Sequence, residues 1–138
     1  MRTITYFFIL NLIIICLGCE QEYITIYTLK NESGKSIKIN TYSSSNRLNN
    51  EIIINEKNSF SRETVDYQGS PSSFYRVFES EDNSSIDSIT IIYDNSKISA
   101  FNFSTNNKRN PLLFHADNTF TFTEEDYEKA EDCNGNCE

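Results

Sequence analysis

The chain has 138 residues, 12 basic and 20 acidic side chains, and a net charge of −8. Acidity of this size disfavours nucleic acids and anionic lipid headgroups as partners, because both would approach like charge. The 120 residues after position 18 suffice for one ordinary domain with a single hydrophobic core.

The amino-terminal segment has the three parts of an export signal. Arg2 gives a basic tip, residues 4–17 form a 14-residue apolar run that contains Asn11, and Gly18 is a small residue. A helix that spans a membrane needs about 20 apolar residues, so this run is short for a stable anchor. Residues 1–18 are therefore predicted to be a signal peptide, followed by one domain over residues 19–138.

The end of this segment, Leu17-Gly18-Cys19, resembles the lipobox of bacterial lipoproteins. That resemblance implies cleavage before Cys19 and acylation of Cys19, which would tether the domain to the cell envelope. The expected place is the outer membrane, on its periplasmic or its surface face. Several acyl chains on one residue hold a protein at a membrane almost permanently. The alternatives are ordinary secretion with a free Cys19 thiol, or a short signal anchor.

Only three residues separate Cys19 from Tyr23, where the first predicted strand begins. They are Glu20, Gln21 and Glu22, and each extends the chain by at most about 3.6 Å. The domain is therefore expected to lie close to the lipid surface. Acidic residues at this place also resemble the surface-export signals of Bacteroidota lipoproteins.

Two cysteines near the carboxyl terminus, Cys133 and Cys137, enclose an Asn-Gly pair. Asn-Gly tolerates positive φ and folds the chain back sharply, and thiols outside the cytosol tend to pair. The spacing predicts a small disulfide ring of modest stabilising effect, since it closes a short loop. A zinc site is not predicted, because two cysteines supply only half of its ligands. A calcium site of the EF-hand type is not predicted either, because the glycine and the distal glutamate of that motif are absent.

The 120 residues are poor in helix formers and rich in Ile, Tyr, Phe, Thr, Ser and Asn, which favours strands joined by polar turns. The predicted strands are residues 23–30, 35–42, 51–54, 59–65, 74–79, 86–93, 97–103 and 118–122. The first two are expected to form a hairpin, as are 86–93 and 97–103. A change of apolar face between Ala100 and Phe101 predicts a bulge.

Residues 123–130 carry a helical pattern instead. Thr123 can cap a helix, acidic residues fill the first turn, and Glu125 and Lys129 form an i, i+4 pair. Together these patterns predict an all-β fold, an antiparallel β-sandwich of seven or eight strands with a short carboxyl-terminal helix. A small β-barrel is the alternative.

A second resemblance lies in the closing part of the chain. Asn110-Pro111-Leu112, followed by the stretch from Phe120 to Ala130, resembles the closing segment of small Bacteroidota lipoproteins. That family has no assigned activity, so the resemblance supports the predicted location in the cell envelope and implies no chemistry.

Catalytic signatures are scarce. The single histidine, His115, stands two residues before Asp117, a pair that could ligate a metal or form part of a nucleophile relay. No Gly-x-Ser-x-Gly sequence accompanies it, and a surface loop histidine is the simpler interpretation. A glycosidase-like carboxylate pair would need a cleft that short strands hardly provide. No catalytic residue, cofactor or metal is therefore predicted.

The leading functional hypothesis is a lipid-anchored envelope domain, binding or structural, that contacts a protein or glycan through the loops at residues 66–73 and 108–118. Sugar stacking would need exposed tyrosines. The candidates are Tyr23, Tyr27, Tyr42, Tyr67, Tyr75, Tyr93 and Tyr127. The alternative hypothesis is an inhibitor or immunity lipoprotein whose acidic surface neutralises a basic toxin or hydrolase. A small hydrolase built on His115 is the third.

Overall fold

A computed structural model describes residues 22–67, 73–80 and 85–137. Within these ranges the chain forms eight strands in two facing sheets that do not close into a barrel, which confirms the predicted all-β sandwich. The strands are β1 (Glu22–Glu32), β2 (Ile37–Tyr42), β3 (Leu48–Ile54), β4 (Ser59–Tyr67), β5 (Ser88–Tyr93), β6 (Lys97–Asn102), β7 (Thr119–Thr123) and β8 (Glu131–Asp132). The helices are the 3₁₀ turns η1 (Phe74–Phe78) and η2 (Pro111–Leu113) and the α-helix α1 (Glu124–Lys129).

The two sheets differ in size and in the direction of their strands. The smaller has the order β4-β1-β7 and the larger β3-β2-β5-β6-β8. All pairs are antiparallel except β1 with β7, which is parallel. The fully antiparallel arrangement predicted from the sequence is therefore wrong at this one pair.

The predicted hairpin of residues 23–30 with 35–42 is also wrong. β1 pairs with β4 and β7, whereas β2 pairs with β3 and β5 in the opposite sheet. The turn at residues 33–36 is therefore a crossover between sheets, as is the turn at residues 55–58 that joins β3 to β4. The alternation of apolar and polar residues along a strand shows which residues face the core, but it does not show which sheet the strand joins.

The predicted β5–β6 hairpin is confirmed, with Tyr93 opposite Lys97 and Ser88 opposite Asn102. Asp94 and Asn95 have φ of 46° and 52°, as a tight hairpin turn requires. The bulge predicted in β6 is absent, because the β5–β6 register runs without a shift. An irregularity occurs instead at Thr41/Tyr42, against β3.

The predicted strand at residues 74–79 is a 3₁₀ helix, η1. Phe74, Val77 and Phe78 are its buried residues, a spacing of three and four that is helical. The ring of Phe74 meets Tyr27 of β1 at 5.5 Å and Phe114 after η2 at 5.0 Å, both edge to face. The two 3₁₀ helices thus add aromatic rings to the core between the sheets.

The predicted carboxyl-terminal helix is confirmed as α1, with Thr123 as its N-cap in a capping box with Asp126. After it, β8 pairs with the first two residues of β6. Cys133 and Cys137 then lie at disulfide distance, with their Cα atoms 5.1 Å apart. Asn134 and Gly135 between them have positive φ, as the Asn-Gly pair predicted.

Candidate functional site

Several of the predicted site residues fall outside the described ranges. These are the signal at residues 1–18, Cys19, and residues 68–72 of the first candidate loop. His115 is described and is exposed in the loop between η2 and β7. Across residues 22–67, 73–80 and 85–137, no three His, Cys, Asp or Glu side chains lie close enough to share a metal ion.

The tyrosines do not form an exposed row in the part of the chain that the structure describes. Tyr27 and Tyr93 are buried core residues, and Tyr42, Tyr75 and Tyr127 are partly buried. Tyr23, at the start of β1, is 47% exposed. The side chain of Tyr67 lies outside the described part, and among the described tyrosines of this group only Tyr23 is exposed.

A small cleft of about 100 Å³ opens between the two sheets where β6 and β7 face each other. Its walls are apolar residues of β5, β6 and β7, and its mouth is polar. The lining residues are Ile91, Tyr93, Ser99, Phe101, Asn107, Arg109, Pro111, Phe120, Phe122, Asp126 and Lys129. Binding sites for drug-sized molecules measure about 300 Å³ or more, so this cleft fits one side chain or a small group.

Arg109 and Asp126 form an ion pair at the mouth of the cleft. Nε of Arg109 donates to Oδ1 of Asp126 at 2.9 Å, and Nη2 donates to Oδ2 of the same carboxylate. Nη2 also donates to the Thr121 carbonyl at 2.6 Å, and the guanidinium lies 4.6 Å from the Phe120 ring centre. The pair fixes the loop before η2 against β7 and the start of α1.

Burial and hydrogen bonding act in opposite directions on Asp126. Burial is the largest single influence and raises the pKa. The hydrogen bonds from Arg109 and Thr123 and the charge of Arg109 together lower the pKa by more than burial raises it, so the pKa lies below its ordinary value. The same hydrogen bond raises the pKa of Arg109. Burial, together with the charge of Asp126, raises the pKa of the Tyr93 phenol.

We expect Asp126→Asn to lower the free energy of unfolding by about 1 to 2 kcal/mol at pH 6 to 8, since it removes charge-assisted bonds of a half-exposed pair. The folded pKa of Asp126 is lowered, so the ionised carboxylate stabilises the fold above its unfolded pKa, and this stabilisation is lost as pH falls through the folded value. The difference from wild type should therefore shrink below about pH 4. Urea unfolding at several pH values measures it.

The control for this prediction is Asp87→Asn, which makes the same change at an exposed aspartate. It should leave the unfolding free energy within about 0.5 kcal/mol of wild type. A stability loss in Asp126→Asn that persists unchanged at pH 3 would contradict an electrostatic role for the pair.

A larger groove of about 260 Å³ continues from the cleft along the outer edge of β6, and we call it the edge groove. Its lining residues are Ile98, Ser99, Ala100, Phe101, Thr105, Asn107, Lys129 and Glu131. Four of these also line the cleft, so the two spaces form one continuous surface.

The edge groove contains strand backbone that no described strand pairs. β8 covers only Lys97 and Ile98 of β6. At the other end of β6, the N–H of Asn102 points away from β5 and donates to Thr105 Oγ1 at 3.1 Å. Backbone groups alternate sides along an antiparallel strand, so the N–H and C=O of Ala100 point the same way, into the groove.

A buried asparagine holds the far wall of the edge groove in place. Asn110 is 1% exposed, and its Nδ2 donates to the carbonyls of Asn102 at 2.9 Å and Thr105 at 3.0 Å. Its Oδ1 accepts from the Leu112 N–H at 3.0 Å, at the start of η2. Asn110 therefore shapes the loop that faces β6.

The charges around the edge groove are predominantly negative. Two of the cations near the groove are in ion pairs, Arg109 with Asp126 and Lys129 with Glu125. Lys97 donates to the Glu128 carbonyl, and Lys108 is exposed. The exposed carboxylates on α1 and β8 are Glu124, Glu125, Glu128, Glu131 and Asp132. The rim therefore favours a basic partner.

Sequence reasoning selected the loop at residues 108–118 but not the groove beside it. The Thr123-x-x-Asp126 capping pattern was visible in the sequence, whereas the pairing of Arg109 with Asp126 across 17 positions was not. The open segment at Ala100 depends on how short β8 is, which no local pattern indicates.

Comparison of the chain with protein-family models, curated proteins and solved structures finds no match. The residues that the structure describes include no helix long and apolar enough to cross a membrane.

Proposed function

We propose that this chain is a lipid-anchored domain of the bacterial cell envelope, without catalytic activity, that binds a segment of a partner protein in the edge groove. The proposed location in the envelope rests on the signal pattern of residues 1–18 and on the lipobox ending at Cys19. The acyl chains on Cys19 insert into the outer membrane and leave the domain exposed to envelope proteins.

The observation that supports the binding role is the edge groove with its strand segment at Ala100, which no described strand pairs. An extended peptide can add hydrogen bonds to such an edge, and adjacent pockets then select its side chains. The cleft of about 100 Å³ has room for one such side chain. Among the described residues, Ser99 lines both spaces and Thr105 lines the edge groove, and no histidine or cysteine lines either, which suits contact better than covalent chemistry.

The chemistry of the rim supports a protein in preference to a glycan. Four exposed carboxylates of α1 and β8 lie outside the Lys129–Glu125 ion pair and attract Lys and Arg side chains, and their effect weakens as salt screens it. The same observation supports the second candidate function, an inhibitor or immunity lipoprotein that blocks a basic toxin or hydrolase. The two functions share one surface and differ in what happens to the partner's activity.

We further propose that Cys133 and Cys137 form a disulfide bond in the envelope, where thiols tend to pair. Their separation and the Asn134–Gly135 turn between them support this. The ring follows β8 directly, so it would order the chain end beside the acidic rim.

We expect Glu131→Lys to weaken capture of the envelope partner by tenfold or more, which corresponds to about 1.4 kcal/mol. The substitution replaces a carboxylate that lines the edge groove with a positive charge, which repels a basic segment. The measurement is capture from envelope extract on the immobilised mature domain at low and at high salt, with the captured proteins identified and titrated.

The matched control is Glu51→Lys, which changes the net charge equally. Glu51 is exposed on β3, at the opposite edge of the same sheet. It should retain capture close to wild type. Equal loss in both variants, or capture that neither salt nor Glu131→Lys affects, would contradict the edge groove as the binding site. Loss of a captured hydrolase's activity would favour the inhibitor.

A further inference from the structure

We propose that three exposed apolar residues at the anchor end of the smaller sheet, Ile24, Ile26 and Val65, lie against the lipid surface and orient the domain on it. We call them the apolar patch. This inference rests on the proposed acylation of Cys19, and it adds a second membrane contact that the lipid itself does not provide.

The apolar patch lies on the outer face of the smaller sheet. Ile24, Ile26 and Val65 are 71%, 52% and 42% exposed, and Ile24 stands directly opposite Val65 in the β1–β4 register. The alternate residues Tyr27 and Leu29 of β1 are buried in the core. Side chains alternate faces along a strand, so the patch is turned away from the core.

The patch belongs to the part of β1 that extends past β7. Pairing with β7 begins at Thr28, so among the described strands residues 22–27 of β1 pair only with β4. Further along the same outer face the surface becomes polar, with a 2.9 Å hydrogen bond between Thr28 and Ser61 and a 2.6 Å ion pair between Lys30 and Glu32. Among the described residues of this face, only those at the anchor end form an apolar surface.

The short tether identifies the occupant as lipid. Three residue steps join Cys19 to Glu22, a reach of at most about 11 Å, and Ile24 follows two residues later. Acyl chains on Cys19 would therefore hold the patch next to the bilayer interface at all times. An apolar surface at such an interface is stabilised by the area it removes from water.

The charge of the domain selects the kind of lipid. Without residues 1–18 the chain has 11 basic and 20 acidic side chains, a net charge of −9. Exposed Glu63 stands opposite Ile26 within the patch region. Neutral headgroups are therefore the expected surface. The edge groove belongs to the other sheet, so contact through the patch leaves the groove open to partners.

Tryptophan reporters test this inference, because the natural chain contains none. Ile24→Trp places one in the patch, and Ile53→Trp places a control on the outer face of the other sheet, where Ile53 is 61% exposed. The acylated proteins are reconstituted in phosphatidylethanolamine vesicles containing phosphatidylcholine brominated in its acyl chains. A third protein combines Ile24→Trp with Ile26→Ser and Val65→Ser.

We expect the emission of Ile24→Trp to shift to the blue in vesicles and to be quenched by bromine several-fold more strongly than that of Ile53→Trp. The serine substitutions should remove most of this difference. Equal quenching of the two reporters in proteins that float with vesicles would overturn the patch and leave the anchor standing. Failure to float would overturn the anchor and the patch together. A blue shift without vesicles that grows with protein concentration would assign the patch to a second copy and overturn lipid contact.

Discussion

Replacement of Asn31 by alanine is expected to lower the free energy of unfolding by about 3 to 4 kcal/mol, a large fraction of the stability of an ordinary domain. Asn31 is fully buried at the end of β1. Its Nδ2 donates to the carbonyls of Lys35, Ile54 and Asn55 at 2.7, 2.9 and 3.2 Å. Alanine would leave these buried or part-buried carbonyls without the donor.

The position of Asn31 explains why the effect is large. Its Oδ1 accepts from the N–H and the hydroxyl of Ser33 at 3.1 and 2.7 Å. Its backbone N–H donates to the Asn58 carbonyl, and its own carbonyl accepts from the Lys57 N–H. Asn31 therefore holds together both crossovers between the sheets, residues 33–36 and 55–58.

Thermal and urea unfolding measure this prediction, and a melting temperature lower by about 10 °C or more is expected. Asn106→Ala, in an exposed loop, is the matched control and should change stability by less than about 0.5 kcal/mol. Asn31→Asp should destabilise at least as much as Asn31→Ala, because it replaces the donor with a buried carboxylate facing three carbonyls. A loss below about 1 kcal/mol in Asn31→Ala would contradict the role assigned to this residue.

Cys19→Ala is expected to release the protein from the membrane completely. Acyl chains contribute about 0.8 kcal/mol per buried CH₂, and alanine has no thiol to carry them. The apolar patch has only three residues and cannot replace several acyl chains. Fractionation of cells that express wild type or Cys19→Ala measures the change.

The control for this release is Cys16→Ala, which removes the neighbouring cysteine of the signal and leaves Cys19 in place. It should remain in the membrane fraction. If Cys19→Ala stayed membrane-bound after a carbonate wash and the wild type carried no acyl mass, residues 1–18 would be an uncleaved anchor and the proposed lipid attachment would be wrong.

Local sequence patterns predicted the elements whose causes are local. The β5–β6 hairpin follows from two alternating segments joined by Asp94 and Asn95, which accept positive φ. The helix α1 follows from Thr123 and the acidic first turn. These features need only neighbours along the chain, so the sequence contains the whole signal.

Features that depend on distant partners were not predicted. β1 and β2 alternate like hairpin strands, yet each joins a different sheet, because the turn between them is fastened by Asn31 to residues more than twenty positions away. The aromatic run of η1 was interpreted as a strand, although Phe74, Val77 and Phe78 already had helical spacing. Apolar residues at positions i, i+3 and i+4 are the pattern of a helix.

The candidate site was predicted only in part for the same reason. The loop at residues 108–118 was selected for its length, but its shape depends on Asn110 and on the pairing of Arg109 with Asp126. The edge groove exists because β8 is two residues long and leaves Ala100 uncovered. Strand length at a sheet edge is decided by packing, not by propensity.

Cys19 is proposed to become the lipid-bearing first residue of the domain. Intact mass and amino-terminal peptide mass of the protein purified from the membrane fraction test it most directly. We expect a chain that begins at Cys19 and carries the mass of its acyl groups, with Cys133 and Cys137 together short of two hydrogens. A chain that begins at Met1, or one that begins at Cys19 with an unmodified thiol and amino group, would contradict it.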